Sequence, residues 1–163
     1  MGSAFTAKLK WLLHWLPAAL AVAMIACEST ATMSADNTSR WLLPVWTHLF
    51  GPISMVHWAI VHHLLRKTGH FIGYGTVSLA FFYGWQSSLH ADSIRSLWSR
   101  AAGWAILCTF LVASADEFHQ SFLPGRTSSP YDVGLDLCGA IAAHFVLFLW
   151  MSRTSRRTAL RIA

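Results

Sequence analysis

Long apolar runs separated by short polar stretches dominate this chain. Four runs approach the length of about 17–25 residues that a helix needs to cross a bilayer. They are Trp11–Cys27, His70–Gln86, Trp98–Ala115 and Val133–Met151. The pattern predicts an all-α membrane protein with four transmembrane helices. The length of 163 residues favours one transmembrane domain over residues 1–163.

A fifth apolar stretch, Trp41–Leu65, is interrupted by Pro44 and by Gly51-Pro52. Its longest uninterrupted piece, Ile53–Leu65, has only 13 residues. That is too short to span, so residues 41–65 are predicted to form an interfacial or re-entrant helical segment.

The positions of lysine and arginine predict the orientation, because these residues are enriched on the cytoplasmic side. With four spans and a cytoplasmic N-terminus, eight lie inside: Lys8, Lys10, Arg95, Arg100, Arg153, Arg156, Arg157 and Arg161. Four lie outside: Arg40, Arg66, Lys67 and Arg126. Five spans would place five inside and seven outside. Four spans with both termini cytoplasmic are therefore expected.

Composition agrees with a membrane protein: 55% of the residues are hydrophobic and only 12% are charged. A soluble domain needs more charge to cover its surface. The net charge of +5 lies mainly at the ends of apolar runs, so it indicates topology, and no nucleic-acid partner is expected.

The N-terminal segment that ends at Cys27 is first basic and then apolar. A cleaved signal peptide is its alternative interpretation. The three cysteines have no paired spacing, which argues against a disulfide framework or a zinc ribbon.

Six of the seven acidic residues fall near the predicted outer side: Glu28, Asp36, Asp116, Glu117, Asp132 and Asp136. Helical spacing groups many of the polar residues there into three stripes. The stripes are Lys67, His70 and Tyr74; Asp116 and Gln120; and Asp132 and Asp136. Ionisable groups at membrane depth are costly and suggest function. We therefore expect the stripes to meet in one polar site.

Structural roles are the alternative. Ser129-Pro130 is typical of a helix start, with Asp132 as a capping acid. Buried ion pairs are also expected to hold such bundles together, for example Asp116 with Arg126 or Asp136 with Lys67.

Three segments carry a family resemblance: "ACES", "RKTGHFIGYG" and "DEFHQSFLPGRTSSPYDVGLDLCGA". In these motifs and their order the chain resembles the VanZ-like membrane protein family. The resemblance implies a multi-span protein of the bacterial cytoplasmic membrane. The family pattern falls on Glu28, Lys67, His70, Tyr74, Asp116, Glu117, Gln120, Arg126, Asp132 and Gly139. Asp136 departs from it, since the family often has Asn there. The family's namesake lowers susceptibility to teicoplanin, a lipophilic glycopeptide that binds peptidoglycan precursors.

Three functions are compatible with this pattern. The first is an enzyme acting at the outer face on a lipid-linked envelope component. Its catalytic candidates are Asp116, Glu117, His119 and His70, and its binding candidates are Lys67, Tyr74, Gln120, Arg126, Asp132, Glu28 and Asp136. The second is a non-enzymatic protein that binds or shields lipid or drug, and the third is a small transporter.

The expected partner is a membrane lipid or lipid-linked envelope precursor, with a lipophilic glycopeptide as a further candidate. A role in teicoplanin-type resistance is the corresponding phenotype. No strong metal signature is present, so the metal and any cofactor are unknown from the sequence, as is the oligomeric state.

Overall fold

The computed structural model describes residues 2–124, 126 and 128–162, and within them all regular secondary structure is helical. The helices are α1 Gly2–Glu28, α2 Ala35–Phe50, α3 Met55–Ser88, α4 Ile94–Gln120 and α5 Pro130–Ile162. A short 3-10 helix, Ala31–Met33, links α1 to α2. The predicted all-α class is confirmed.

In the described part of the chain, three helices are long and apolar enough to cross a membrane: Lys8–Glu28 in α1, Ile94–Gln120 in α4 and Pro130–Thr154 in α5. They contain three of the four predicted spans. The fourth, 70–86, lies inside α3, which is not apolar enough to join them by composition. Helix α3 has 34 residues and is therefore about 51 Å long, against roughly 30 Å of hydrocarbon core. Tyr74, Gly75 and Ser78 of α3 are buried against the other helices. These residues lower the mean hydropathy of α3.

Residues 41–65 do not form the single segment that the sequence predicts. The break falls at Gly51, whose φ of 88° ends α2, whereas Pro44 is accommodated inside that helix. Ser34 caps α2 and Ser54 caps α3, each by accepting a backbone N–H three residues ahead. The segment therefore comprises most of α2 and the first third of α3.

Helix α3 is central and packs against α1, α4 and α5, most extensively against α5. The α3–α5 contact is close enough to involve backbone. A Cβ added at Gly139 would overlap the carbonyl oxygen of Phe71, and one added at Gly75 would lie 3.1 Å from the carbonyl oxygen of Gly139. Small residues at a helix crossing are the usual way for membrane helices to approach closely.

We expect Gly139→Ala to destabilise the protein, because α3 and α5 must move apart to accept the new methyl group. Overpacking of this kind costs about 1–3 kcal/mol. The measurement is thermal unfolding of the detergent-purified variant. Gly103→Ala in α4 is the matched control, since nothing lies within 4 Å of a Cβ there. Its melting temperature should equal or exceed that of the unchanged protein, because alanine favours helix over glycine. Equal melting temperatures for the two variants would show that the close crossing is unimportant.

Candidate functional site

The predicted stripes meet at one end of the bundle, where α1 and α4 finish and α5 begins. We call this the polar end. Two contacts join α3 to α5 there. Lys67 forms a salt bridge with Asp132, and Nδ1 of His70 lies 3.5 Å from Oδ1 of Asp136. The i, i+4 spacing of the two aspartates thus matches the i, i+3 spacing of the lysine and histidine.

Asp116 joins α4 to α3 through one of its two oxygens. Its Oδ2 accepts hydrogen bonds from the Tyr74 hydroxyl, at 2.8 Å, and from Nε2 of Gln120, at 2.9 Å. All three side chains are buried. The other oxygen, Oδ1, is also buried and has no hydrogen-bond partner among the described residues. The carboxyl group is therefore fixed in orientation with one oxygen uncommitted.

Glu117 connects the end of α4 to the start of α5. Its Oε2 accepts the backbone N–H of Ser129 at 2.9 Å, and its backbone carbonyl accepts the Ser128 hydroxyl at 2.7 Å. Helix α5 begins at Pro130, as the Ser-Pro pattern predicts. Glu117 is nevertheless close to the other polar groups. One ligand atom from each of His70, Asp116 and Glu117 lies within 4.8 Å of the others.

Neither of the two ion pairs that the sequence suggests is present among the described residues. Lys67 contacts Asp132 instead of Asp136. Arg126 contacts no carboxylate, and its Nη2 donates to the backbone carbonyls of Glu28 and Thr30. The reason is the position of Arg126 beside the end of α1, where the last helical carbonyls have no intrahelical donor.

A polar cavity of about 220 Å³ lies beside this contact. It is lined by Glu28, Met33, Thr38, Arg66, Gly69, His70 and Arg126. Burial lowers the pKa of the Arg126 guanidinium, and the charge of Arg66 lowers it further, while the nearby carboxylates act in the opposite direction. An arginine remains charged despite such a shift. The cavity is thus positive at one wall.

An apolar groove of about 370 Å³ runs between α1 and α4. Its lining includes Val22, Ile25, Ala26, Val112 and Ala115, and it ends at Ser29, Asp116 and His119. Lining residues of the groove and of the polar cavity are neighbours at two places. Glu28 of the cavity precedes Ser29 of the groove in the chain, and His70 of the cavity approaches Asp116 of the groove.

His119, a predicted catalytic residue, lines the groove with Asp116 but is not part of the cluster of His70, Asp116 and Glu117. It is exposed, and its Nδ1 is 3.1 Å from the Ser29 hydroxyl.

Arg66 of the polar cavity was not among the site residues predicted from the sequence, where it was counted only as a charge outside the membrane. Arg66 precedes His70 by four residues, so its position on the same helix face was available as a signal.

The Lys67–Asp132 salt bridge allows a test of coupling between α3 and α5. We expect Lys67→Met and Asp132→Asn each to lower the free energy of unfolding, and the double variant to lose less than their sum. Side chains in contact have coupling energies of about 0.5–3 kcal/mol, and because both side chains are partly exposed we expect a value in the lower half of that range. Chemical unfolding in detergent gives the free energy of unfolding of the unchanged protein, the two single variants and the double variant. Lys67→Met combined with Asp92→Asn, a loop residue remote from the site, should be additive. Additivity in the first cycle would mean that the salt bridge contributes nothing.

Comparison with known proteins supplies one match. The model of the VanZ/LLP1 family matches residues 12–151. None of the curated proteins and none of the solved structures compared with the chain gives a significant match. The matched range includes every residue of the polar end described above and confirms the resemblance noted in the sequence. The chain therefore belongs to the VanZ/LLP1 family.

Proposed function

We propose that this protein binds the phosphate-bearing head group of a lipid-linked envelope component at the outer face of the bacterial cytoplasmic membrane. The observation that carries the proposal is the adjacency of two cavities. A pocket with two guanidinium groups, those of Arg66 and Arg126, opens beside an apolar groove on the bundle surface. A phosphate joined to a long hydrocarbon chain has the same division into a charged and an apolar part.

Two arginines supply the donors for the head group. Nη1 of Arg66 donates to the Met33 carbonyl at 2.9 Å and to the Thr38 hydroxyl at 3.3 Å, and Arg126 is held by backbone carbonyls. Each guanidinium carries five N–H groups, so most of them stay available. Nε of Arg126 is buried and has no partner in the described part of the chain. Guanidinium groups bind phosphate through parallel, charge-assisted hydrogen bonds.

The groove supplies an apolar surface for the hydrocarbon chain. Its wall along α1 and α4 is aliphatic and faces outward from the bundle. A chain lying there would extend towards the membrane core while its phosphate stays at the polar end. Binding energy from such a chain grows by about 0.8 kcal/mol per buried methylene.

The topology belongs to the same proposal. We take 70–86 of α3 as a fourth span. An even number of spans places both termini on the same side, the cytoplasm, and the polar end outside. The whole chain then forms one transmembrane domain. The excess of lysine and arginine on the side of the termini supports this orientation. The family match over 12–151 supports a single domain.

A catalytic step on the bound head group is the second candidate. It is favoured by the pairing of His70 with Asp136, because a histidine oriented by a carboxylate is the usual arrangement of a general base. Either activity provides a route to teicoplanin-type resistance, since that drug binds lipid-linked precursors on the same side of the membrane.

The topology predicts which positions a membrane-impermeant thiol reagent can reach. With Cys27, Cys108 and Cys138 replaced by serine, single cysteines at Ser39 and Ser128 should label in intact cells. Cysteines at Ala91 and Ala163 should label only after the membrane is permeabilised. Labelling of Ala91 in intact cells would refute the orientation.

The lipid proposal predicts selectivity for phosphate. Native mass spectrometry should show that the purified protein binds a polyprenyl phosphate in preference to the polyprenol of the same length. The double variant Arg66→Gln and Arg126→Gln should weaken binding of the phosphate at least tenfold, because hydrogen bonds to charged groups contribute about 1.5–3 kcal/mol each.

Arg40→Gln is the matched control, since Arg40 lies on α2 and lines neither cavity. It should bind like the unchanged protein. Equal binding of the phosphate and the alcohol, or full binding by a folded double variant, would contradict the proposal.

A further inference from the structure

Three carboxyl groups at the polar end are buried without a lysine or arginine partner among the described residues. Asp116, Glu117 and Asp136 are 8%, 4% and 0% exposed. No lysine or arginine of the described chain lies within 4.0 Å of their oxygens, since the one such salt bridge uses Asp132. A buried carboxylate without compensation is unfavourable by several kcal/mol. Something else must balance this charge: protons or a cation.

We propose that His70, Asp116 and Glu117 bind a divalent transition-metal ion, with Asp136 orienting the histidine. Their ligand atoms already lie within 4.8 Å of one another. Ligands held about 2.0–2.2 Å from an ion are roughly 3–4 Å apart, so the site forms by small side-chain rotations. The three residues come from two helices, α3 and α4, whose packing fixes their relative positions.

Uncommitted polar atoms support a cation more than a self-contained network. Oδ1 of Asp116 is buried and unpartnered within the described chain, although Tyr74 and Gln120 hold its other oxygen. Nδ1 of His70 and both oxygens of fully buried Asp136 also make no hydrogen bond there, although Nδ1 and Oδ1 are only 3.5 Å apart. Hydrogen bonds to the second oxygen of a ligating carboxylate are a usual outer layer of metal sites.

Asp136 fits the part of an orienting group. Its Oδ1 lies 3.5 Å from Nδ1 of His70, and a small rotation of the ring would make this a hydrogen bond that leaves Nε2 for the ion. A carboxylate placed behind a metal-binding histidine fixes the ring orientation and raises its basicity.

The ligand types favour Mn²⁺ or Zn²⁺ over Ca²⁺. An imidazole nitrogen suits first-row transition metals, whereas Ca²⁺ takes six to eight oxygen ligands. His70 also lines the polar cavity, so a bound ion would be reachable from a phosphate there. Metal binding itself does not depend on lipid binding, and the two are measured separately.

The test uses the full chain, purified in detergent without a histidine tag, stripped with chelator and then incubated with Mn²⁺, Zn²⁺ or Ca²⁺. Elemental analysis after desalting should find close to one Mn²⁺ or Zn²⁺ per chain and no Ca²⁺. The melting temperature should rise with the concentration of the bound ion. Mn²⁺ should also lose its free-ion electron paramagnetic resonance signal on binding.

Asp116→Asn should weaken metal binding at least tenfold, while it keeps an oxygen acceptor for Tyr74 and Gln120. Glu117→Gln is the second variant, in case the first does not fold. Asp92→Asn, an exposed carboxylate outside the site, is the matched control and should bind as the unchanged protein does. The Arg66→Gln and Arg126→Gln double variant should lose lipid phosphate and keep the metal.

Less than about one tenth of an ion per chain in the unchanged protein would overturn the proposal. So would full metal retention by both folded ligand variants. Either result would mean that protons, not a metal, balance the buried carboxyl groups.

Discussion

The contact between the backbones of α3 and α5 determines the arrangement of the polar end. Gly139 lies against the carbonyl of Phe71, and no side chain fits between them. His70 immediately precedes Phe71, and Asp136 is three residues before Gly139. The crossing therefore places one turn of α5 directly against the turn of α3 that carries His70. Lys67 and Asp132 meet one turn further out by the same register.

Burial of carboxyl groups is the second constraint, and it follows from the first. With α3 and α5 in close contact, α4 presents Asp116 and Glu117 to the same small volume. Repulsion and desolvation make this cluster unfavourable unless it holds protons or binds a cation. The arginines stand at its edge, one held by backbone carbonyls and the other by a carbonyl and a hydroxyl. The result is a cluster of buried carboxyl groups beside a cavity that carries two guanidinium groups.

Much of this arrangement was predictable from residue spacing. The apolar runs located α1, α4 and α5, and the i, i+3 and i, i+7 spacing placed Lys67, His70 and Tyr74 on one face. The ion-pair partners were not predictable, because the register between α3 and α5 depends on backbone contact at Gly139. Periodicity within one helix carries no information about that contact. The alternative in which Arg126 pairs with a carboxylate is wrong for the described residues, because backbone carbonyls at the end of α1 accept the hydrogen bonds of its guanidinium. Composition alone identifies three of the four predicted spans within the described residues, because the packed side of α3 carries Gly, Ser and Tyr, which lower its mean hydropathy.

An experimental structure of the protein in a lipid nanodisc, with an antibody fragment and added polyprenyl phosphate, tests the central claim most directly. Density for the phosphate is expected between Arg66 and Arg126, with the hydrocarbon chain in the groove between α1 and α4. Lipid density confined to other faces of the bundle would contradict the proposed binding site, and so would a polar cavity without density when the phosphate is in excess.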